Sequence, residues 1–325
     1  MTDLAAKLDA LARRRFPGAR GVADLRRVTA GATQEVWRFD LVEDGGKTPL
    51  ILRRAPGGDR LSPSAIGLET EAALIEAAGA AGTPVPPVRH VLAADDDLGH
   101  GFIMGFIEGE PLGGRIARGD ALAAARPALA RQCGDILARI HTVDPAAFPK
   151  LRRSTPAGLV GQWEEAYRAS AWPRPVFELT LRWLHDHSPP PGRQFLVHGD
   201  FRNGNLIVGP DGVRAVLDWE LAHVGDPMED LGWICVNSWR FGVEDKPVGG
   251  FGEREDLYAG YESAGGERVN RDHARFWEVY GALRWGVMCA GMTAGFRGAD
   301  PSVERAVIAR RTSESEVDLM RLLAP

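Results

Sequence analysis

Residues 196–208 read LVHGDFRNGNLIV, two apolar runs around a polar insert that holds His198, Asp200, Arg202 and Asn205. The chain continues NLIVGPDGVRAVLDWE, in which 206–208 and 213–217 are β-like runs and GPDG is a strong turn signal. A hairpin folds its ends together, with paired strands about 4.8 Å apart. That geometry predicts Asn205 and Asp218 side by side at the open end, with Asp200 one loop away. Two carboxylates and a carboxamide make the oxygen set that a hard cation such as Mg²⁺ prefers. Asp and Asn are also ordinary turn residues, and HGD alone is compatible with an Asx-turn. The joint spacing separates the two readings: Asp200 and Asn205 stand as D-x-x-x-x-N, and a hairpin leads on to a second aspartate.

The elements that must position these residues fall into two sets. After a first helix, LRRVTAGATQEVWRFDLVEDGGKTPLILRRAP reads as three strands joined by turns, with EDGGK as a hairpin signal. SPSAIGLETEAALIEAAGAAG reads as a helix, capped by Ser62 before Pro63 or by Ser64. VRHVLAADDDLGHGFIMGFIEG reads as another hairpin. Past Gly109 the pattern turns helical: Leu129, Cys133, Ile136, Leu137 and Ile140 form one stripe, and Pro127 suits the first turn of that helix. GLVGQWEEAYRAS and PVFELTLRWLHDH read as two more helices, and helical patterns return beyond residue 226. The expected fold class is α+β and bilobal: a small antiparallel β-sheet lobe with one inserted helix over 1–105, then a larger, mainly helical lobe over 106–325, joined near 105–109.

Composition bounds the function classes. With 325 residues, 44% of them hydrophobic, the chain can bury a large core. Charged residues make up 26% and the net charge is −5, which offers no general attraction to nucleic acid or acidic membrane. Cys133, Cys235 and Cys289 are widely separated and lack a CxxC pair, which predicts buried thiols in a reducing compartment. MTDLAAKLDALARRRF carries Leu4, Leu8 and Leu11 at helical spacing but no uninterrupted apolar core, and no run reaches the roughly 20 apolar residues of a membrane span. These features predict a cytoplasmic protein that binds neither nucleic acid nor membrane.

D-x-x-x-x-N with a histidine two residues ahead, followed by a hairpin and an aspartate, is the order of the protein-kinase catalytic loop and its metal-binding residue. HGDFRNGNLIVGPDGVRAVLDWELAHVGDPMEDLGW resembles the signature of the aminoglycoside phosphotransferase family, relatives of choline kinase with a protein-kinase-like fold. LARIHTVDP resembles the helix end that precedes the catalytic region of these proteins. LILRRAP with LSPSAIGLETEAALIEAAG resembles the branch fused to some acyl-CoA dehydrogenases. The similarity runs over nearly the whole chain and says almost nothing about the acceptor.

The resemblance implies ATP and Mg²⁺ as cofactors and transfer of the γ-phosphate to a hydroxyl of a small molecule. It implies that Asp200 accepts or orients the hydroxyl proton, and that Asn205 and Asp218 hold the metal. Arg202 stands where many kinases use a lysine to steady the phosphoryl group, though an ordinary surface arginine fits equally; His198 reads as structural. Arg53 replaces the phosphate-pairing lysine, a departure, since a planar fork is not a compact ammonium. Leu68, Glu71 and Ile75 fall at i, i+3 and i+7, which sets a carboxylate in an apolar stripe and calls for a cation; Arg53 is the expected partner. Gly31 and Thr33 in AGATQEVW fall where a nucleotide-covering turn should lie, and the backbone of Gly105, Phe106 and Ile107 where a hinge reads the purine edge. Asp226 and Asp230 match the family's GDP…DL segment, in which an aspartate braces the catalytic loop. Glu220 reads as an outer ligand or a solvated carboxylate. Trp277, Tyr280 and Trp285 read as core, or as the lining of an apolar acceptor pocket. A metal-dependent phosphohydrolase and a regulatory nucleotide-binding pseudokinase remain as alternatives.

Overall fold

The computed structural model describes residues 2–29, 34–56, 65–170, 172–296 and 303–324. The chain divides into two compact units, one of residues 1–109 with 214–222, the other of 110–213 with 223–325. The two units divide at 109/110, and 214–222 groups with the first. The physical reason is local: in this segment Val216 N–H donates to Pro84 O at 2.8 Å, and Glu220 O accepts from Ile66 N–H at 2.9 Å.

In the first unit, α1 (Thr2–Arg15) is followed by β1 (Ala19–Thr29), β2 (Glu35–Glu43), β3 (Gly46–Ala55), α2 (Leu68–Ala80), β4 (Val88–Val91) and β5 (His100–Gly105). The strands form an antiparallel sheet in the order β1-β2-β3-β5-β4. Glu43 pairs with Gly46, so Asp44-Gly45 closes the β2–β3 turn that EDGGK predicts. Trp37, Phe39 and Leu41 bury the same face of β2 at the strand period of two, and Leu4, Leu8 and Leu11 of α1 cover it together with Leu50, Leu52 and Ile103. α2 starts at Leu68 with Gly67 as its cap and no side-chain cap bond, several residues later than the serines suggest. Ser62 and Ser64 lie outside the described residues.

The second unit carries α3 (Gly113–Arg118), α4 (Arg126–Ile140), α5 (Pro156–Ala169), α6 (Pro175–Asp186), β6 (Phe195–Val197) and β7 (Leu206–Gly209). β8 (Gly212–Val216) pairs with β7 and carries the chain across the division, and β9 (His223–Gly225) pairs with β6. α7 (Met228–Trp233), α8 (Arg254–Ser263), α9 (Arg271–Phe296), α10 (Val303–Arg310) and α11 (Thr312–Leu323) complete it. Proline stands in the first turn of α4, α5 and α6, where its missing N–H costs nothing. Phe177, Phe276, Trp277 and Tyr280 are core side chains of this unit. Among the described residues no helix is long and apolar enough to cross a membrane. The three cysteines are free and buried, and burial pushes the Cys235 and Cys289 thiols up to about 12.

Candidate functional site

The loop after β6 is built around a buried carboxylate. Asp230 of α7 is fully buried; its Oδ2 accepts the His198 N–H at 2.8 Å and its Oδ1 the Gly199 N–H at 2.9 Å. His141, just past α4, lies with Nε2 3.2 Å from the same carboxylate and Nδ1 2.9 Å from the Tyr261 hydroxyl of α8. Burial alone would raise the Asp230 pKa; the hydrogen bond to the His141 ring, with the His198 ring and backbone N–H, holds it below the usual carboxylate range. Arg284 of α9 donates to Gly199 O at 3.2 Å, and Asn203 Nδ2 donates to Gly113 O and Gly249 O. The loop is thus fastened from α7, α9 and the chain around α3. Asp226 acts differently from Asp230: it caps Met228 N–H at 2.9 Å and pairs with His273 at 2.7 Å.

This bracing presents Asp200. Its Oδ1 accepts Trp233 Nε1–H at 2.7 Å, its Oδ2 accepts Asn205 Nδ2–H at 2.7 Å, and Arg202 Nε lies 3.1 and 3.2 Å from the two oxygens. Asn205 Nδ2 also donates to Asp200 O at 3.0 Å. The Arg202 guanidinium stacks 4.3 Å from the centre of the Trp239 ring, which packs with Trp233 and Trp285. His198 is fully buried, with Nδ1 accepting the Asp200 N–H at 3.2 Å, a structural position. Trp277 and Tyr280 are core residues, whereas Trp285 packs against the tryptophans around Arg202.

The first unit assembles a second group of charges. Arg53 near the end of β3 reaches Glu71 Oε1 at 3.1 Å, Asp218 Oδ1 at 3.0 and 3.1 Å, and Glu220 Oε2 at 3.2 Å; its Nε donates to Gln34 Oε1 at 3.1 Å. Glu71 is 1% exposed and also accepts the Trp219 N–H at 3.2 Å. Burial outweighs the attraction of Arg53, and with repulsion from Asp218 and Glu220 the Glu71 carboxyl is pushed up to about 7. Asp218 itself has φ +66°, a left-handed backbone that aspartate tolerates better than most residues. Glu69 and Glu76 are exposed.

Of the expected hinge, Gly105 N–H donates to Pro87 O at 2.9 Å and Phe106 N–H to Pro49 O at 3.2 Å. Among the described residues, the Ile107 N–H is the one of these three amides that makes no backbone hydrogen bond. The Phe106 ring is covered by Arg38 at 4.5 Å. Gly31 and Thr33 lie outside the described residues.

Each unit keeps an oxygen donor of the kind a divalent cation takes. Asn205 has committed its nitrogen to two acceptors, so its free amide atom is the oxygen. Asp218 engages Arg53 through Oδ1, and its side chain is one-third exposed. Among the described residues no cluster of three or more His, Cys, Asp or Glu side chains could hold a metal unaided.

Motif inspection missed Trp233, Asn203, Arg284, His141 and Tyr261. Trp233 carries a weak signal, three residues after Asp230 on α7; the others become visible only when the chain is folded.

An antiparallel sheet with two helices packed on it, followed by a helical unit whose braced loop offers an aspartate, defines a kinase-like α+β fold. The phosphotransferase enzyme family model matches residues 24–266, and the chain belongs to that family. Acyl-CoA dehydrogenase family member 10 of Mus musculus is 37% identical over 199 residues, 58% of this chain and 18% of that protein, so the match spans less than a fifth of the relative. The structure of a macrolide 2'-phosphotransferase from Brachybacterium faecium superposes with a TM-score of 0.61 at 22% identity, covering 94% of this chain and 97% of that one. A spectinomycin phosphotransferase in complex with ADP and spectinomycin gives a TM-score of 0.61 at 15% identity, covering 99% and 95%. At these identities the likeness concerns the fold.

Proposed function

We propose that the protein transfers the γ-phosphate of ATP, with Mg²⁺, to a hydroxyl group of a small molecule. The observation that carries this reading is the Asp200 carboxylate, held by Trp233, Arg202 and Asn205 on a loop braced by Asp230. A carboxylate so fixed can take the hydroxyl proton as the oxygen attacks the γ-phosphorus and the bond to the β–γ bridging oxygen breaks. Arg202, whose Nε is tied to Asp200, keeps its terminal nitrogens for the phosphoryl oxygens. Asn205 and Asp218 would hold the ion, which when bound neutralises phosphate charge. Ile107 N–H is the remaining hinge donor for the purine edge, and Arg53 with Glu71 belongs to the phosphate side of the nucleotide. Gly31 and Thr33 are assigned to the same side by motif alone.

For the acceptor, the side chains bonded to Asp200 are Trp233, Arg202 and Asn205, with no carboxylate among them, which disfavours a polycation and suits a hydroxyl compound with an apolar body. The acyl-CoA dehydrogenase relatives suggest a hydroxyacyl thioester. A regulatory nucleotide-binding protein without transferase activity is the second reading, favoured by the full engagement of Arg53. Acceptor-dependent ATP consumption across a library of hydroxylated metabolites tests the proposal and separates the two readings. Asp200→Ala should abolish that consumption while leaving the thermal midpoint within a few degrees; near-normal rates in the variant would overturn the role of Asp200.

A further inference from the structure

Arg53 is saturated. A guanidinium has five N–H groups. Here Nε donates to Gln34, Nη1 meets Asp218 and Glu71, and Nη2 meets Asp218 and Glu220, all between 3.0 and 3.2 Å. The side chain is 12% exposed, so water does little to loosen these contacts. A lysine ammonium donates from a single nitrogen, whereas the arginine fork spreads these contacts over three. Both Nη groups also converge on one oxygen, Asp218 Oδ1, which belongs to the carboxylate assigned to the metal.

From this we infer that Arg53 is a built-in counter-ion occupying the Asp218–Glu220 carboxylates. A divalent cation must displace it there, and Arg53 must let go before it can touch a phosphate. The inference rests on the transferase reading for its physiological meaning and not for its test. Three carboxylates around one guanidinium are net anionic, so the group attracts a dication. A dication and a guanidinium on the same oxygen repel each other, so the two exclude one another. The structure assigns to Arg53 the role of setting how much divalent ion the protein needs: metal binding is weak while the fork is closed and strengthens once it opens. No covalent step is involved; the exchange is one cation for another on Asp218.

The test uses Mn²⁺ alone as the probe, titrated into the full chain and read by the loss of free-ion signal in electron paramagnetic resonance. Arg53→Gln should bind Mn²⁺ about tenfold more tightly than the unsubstituted protein or better, and Arg53→Lys should fall between them. Because Arg53→Gln leaves Glu71 without its cation, the double variant Arg53→Gln/Glu71→Gln removes the buried carboxylate and keeps Asp218 and Glu220; it should retain the gain in affinity. Unchanged or weaker Mn²⁺ binding in the folded double variant would overturn the inference, whatever the enzyme does with ATP. Tighter Mn²⁺ binding together with no nucleotide binding and no ATP consumption in the unsubstituted protein would overturn the transferase reading and leave this one standing.

Discussion

At the scale of single residues, two side chains carry separable consequences. Trp233 gives Asp200 a 2.7 Å hydrogen bond from an indole whose ring is buried, so Trp233→Phe keeps most of the packing and removes the donor. The expected outcome is a fall in kcat of about tenfold with the KM for nucleotide within a factor of two; a KM effect without a kcat effect would reassign Trp233 to binding. Glu71 speaks to stability. Its carboxyl is pushed up from 4.5 to about 7, which means that the fold favours the protonated form. Stability from a raised carboxyl is fully present below the unfolded value and is lost as the pH rises through about 7. Unfolding in urea at several values between pH 4.5 and 8 should therefore show Glu71→Gln gaining on the unsubstituted protein by roughly 3 kcal/mol across that window. A difference that stays flat with pH would mean that Glu71 titrates normally.

At the scale of elements, the catalytic-loop brace depends on how closely α4 and α8 approach, because His141 follows one and Tyr261 stands on the other. Gly134 makes that approach possible: a Cβ there would meet Leu257 O at 2.0 Å and Tyr261 N at 2.6 Å, both backbone atoms that cannot turn aside. Gly134→Ala should cost about 2–3 kcal/mol by forcing the helices apart. Gly161, inside α5, has nothing within 4 Å of its Cβ position, and Gly161→Ala should stabilise by about 0.5–1 kcal/mol. Denaturant unfolding of the pair checks the crossing. Similar small changes in both would mean that the glycine at 134 is not needed for it.

At the scale of the whole molecule, family membership supplies the fold, and ligand linkage supplies the simplest global check. A nucleotide that binds the folded chain raises the unfolding free energy by about 2.7 kcal/mol at a hundredfold excess over its Kd. ATP with Mg²⁺ should raise the thermal midpoint with the logarithm of its concentration, and more than ATP with a chelator does. A midpoint indifferent to nucleotide at millimolar concentration would remove the basis for both the transferase and the regulatory reading.

The sequence by itself determined the local features. The period-two burial of Trp37, Phe39 and Leu41, the Asp44-Gly45 turn, the stripe on α4 and the β7–β8 hairpin all follow from near-neighbour sterics and hydrophobic spacing. Glu71 was legible for the same reason, since a carboxylate at a core position of a helix demands a cation. The serine caps expected for α2 do not start it, since the helix begins at Leu68 with Gly67 as its cap. Only the tertiary structure decided which distant groups share one charge or one carboxylate. Asp230 gathers His141, His198 and Gly199, and Arg53 adds Asp218 and Glu220 to the Glu71 that the sequence already paired with it, across as many as 167 positions. Such choices follow from burial, which makes an unpaired charge or N–H too costly to leave, and not from any pattern along the chain.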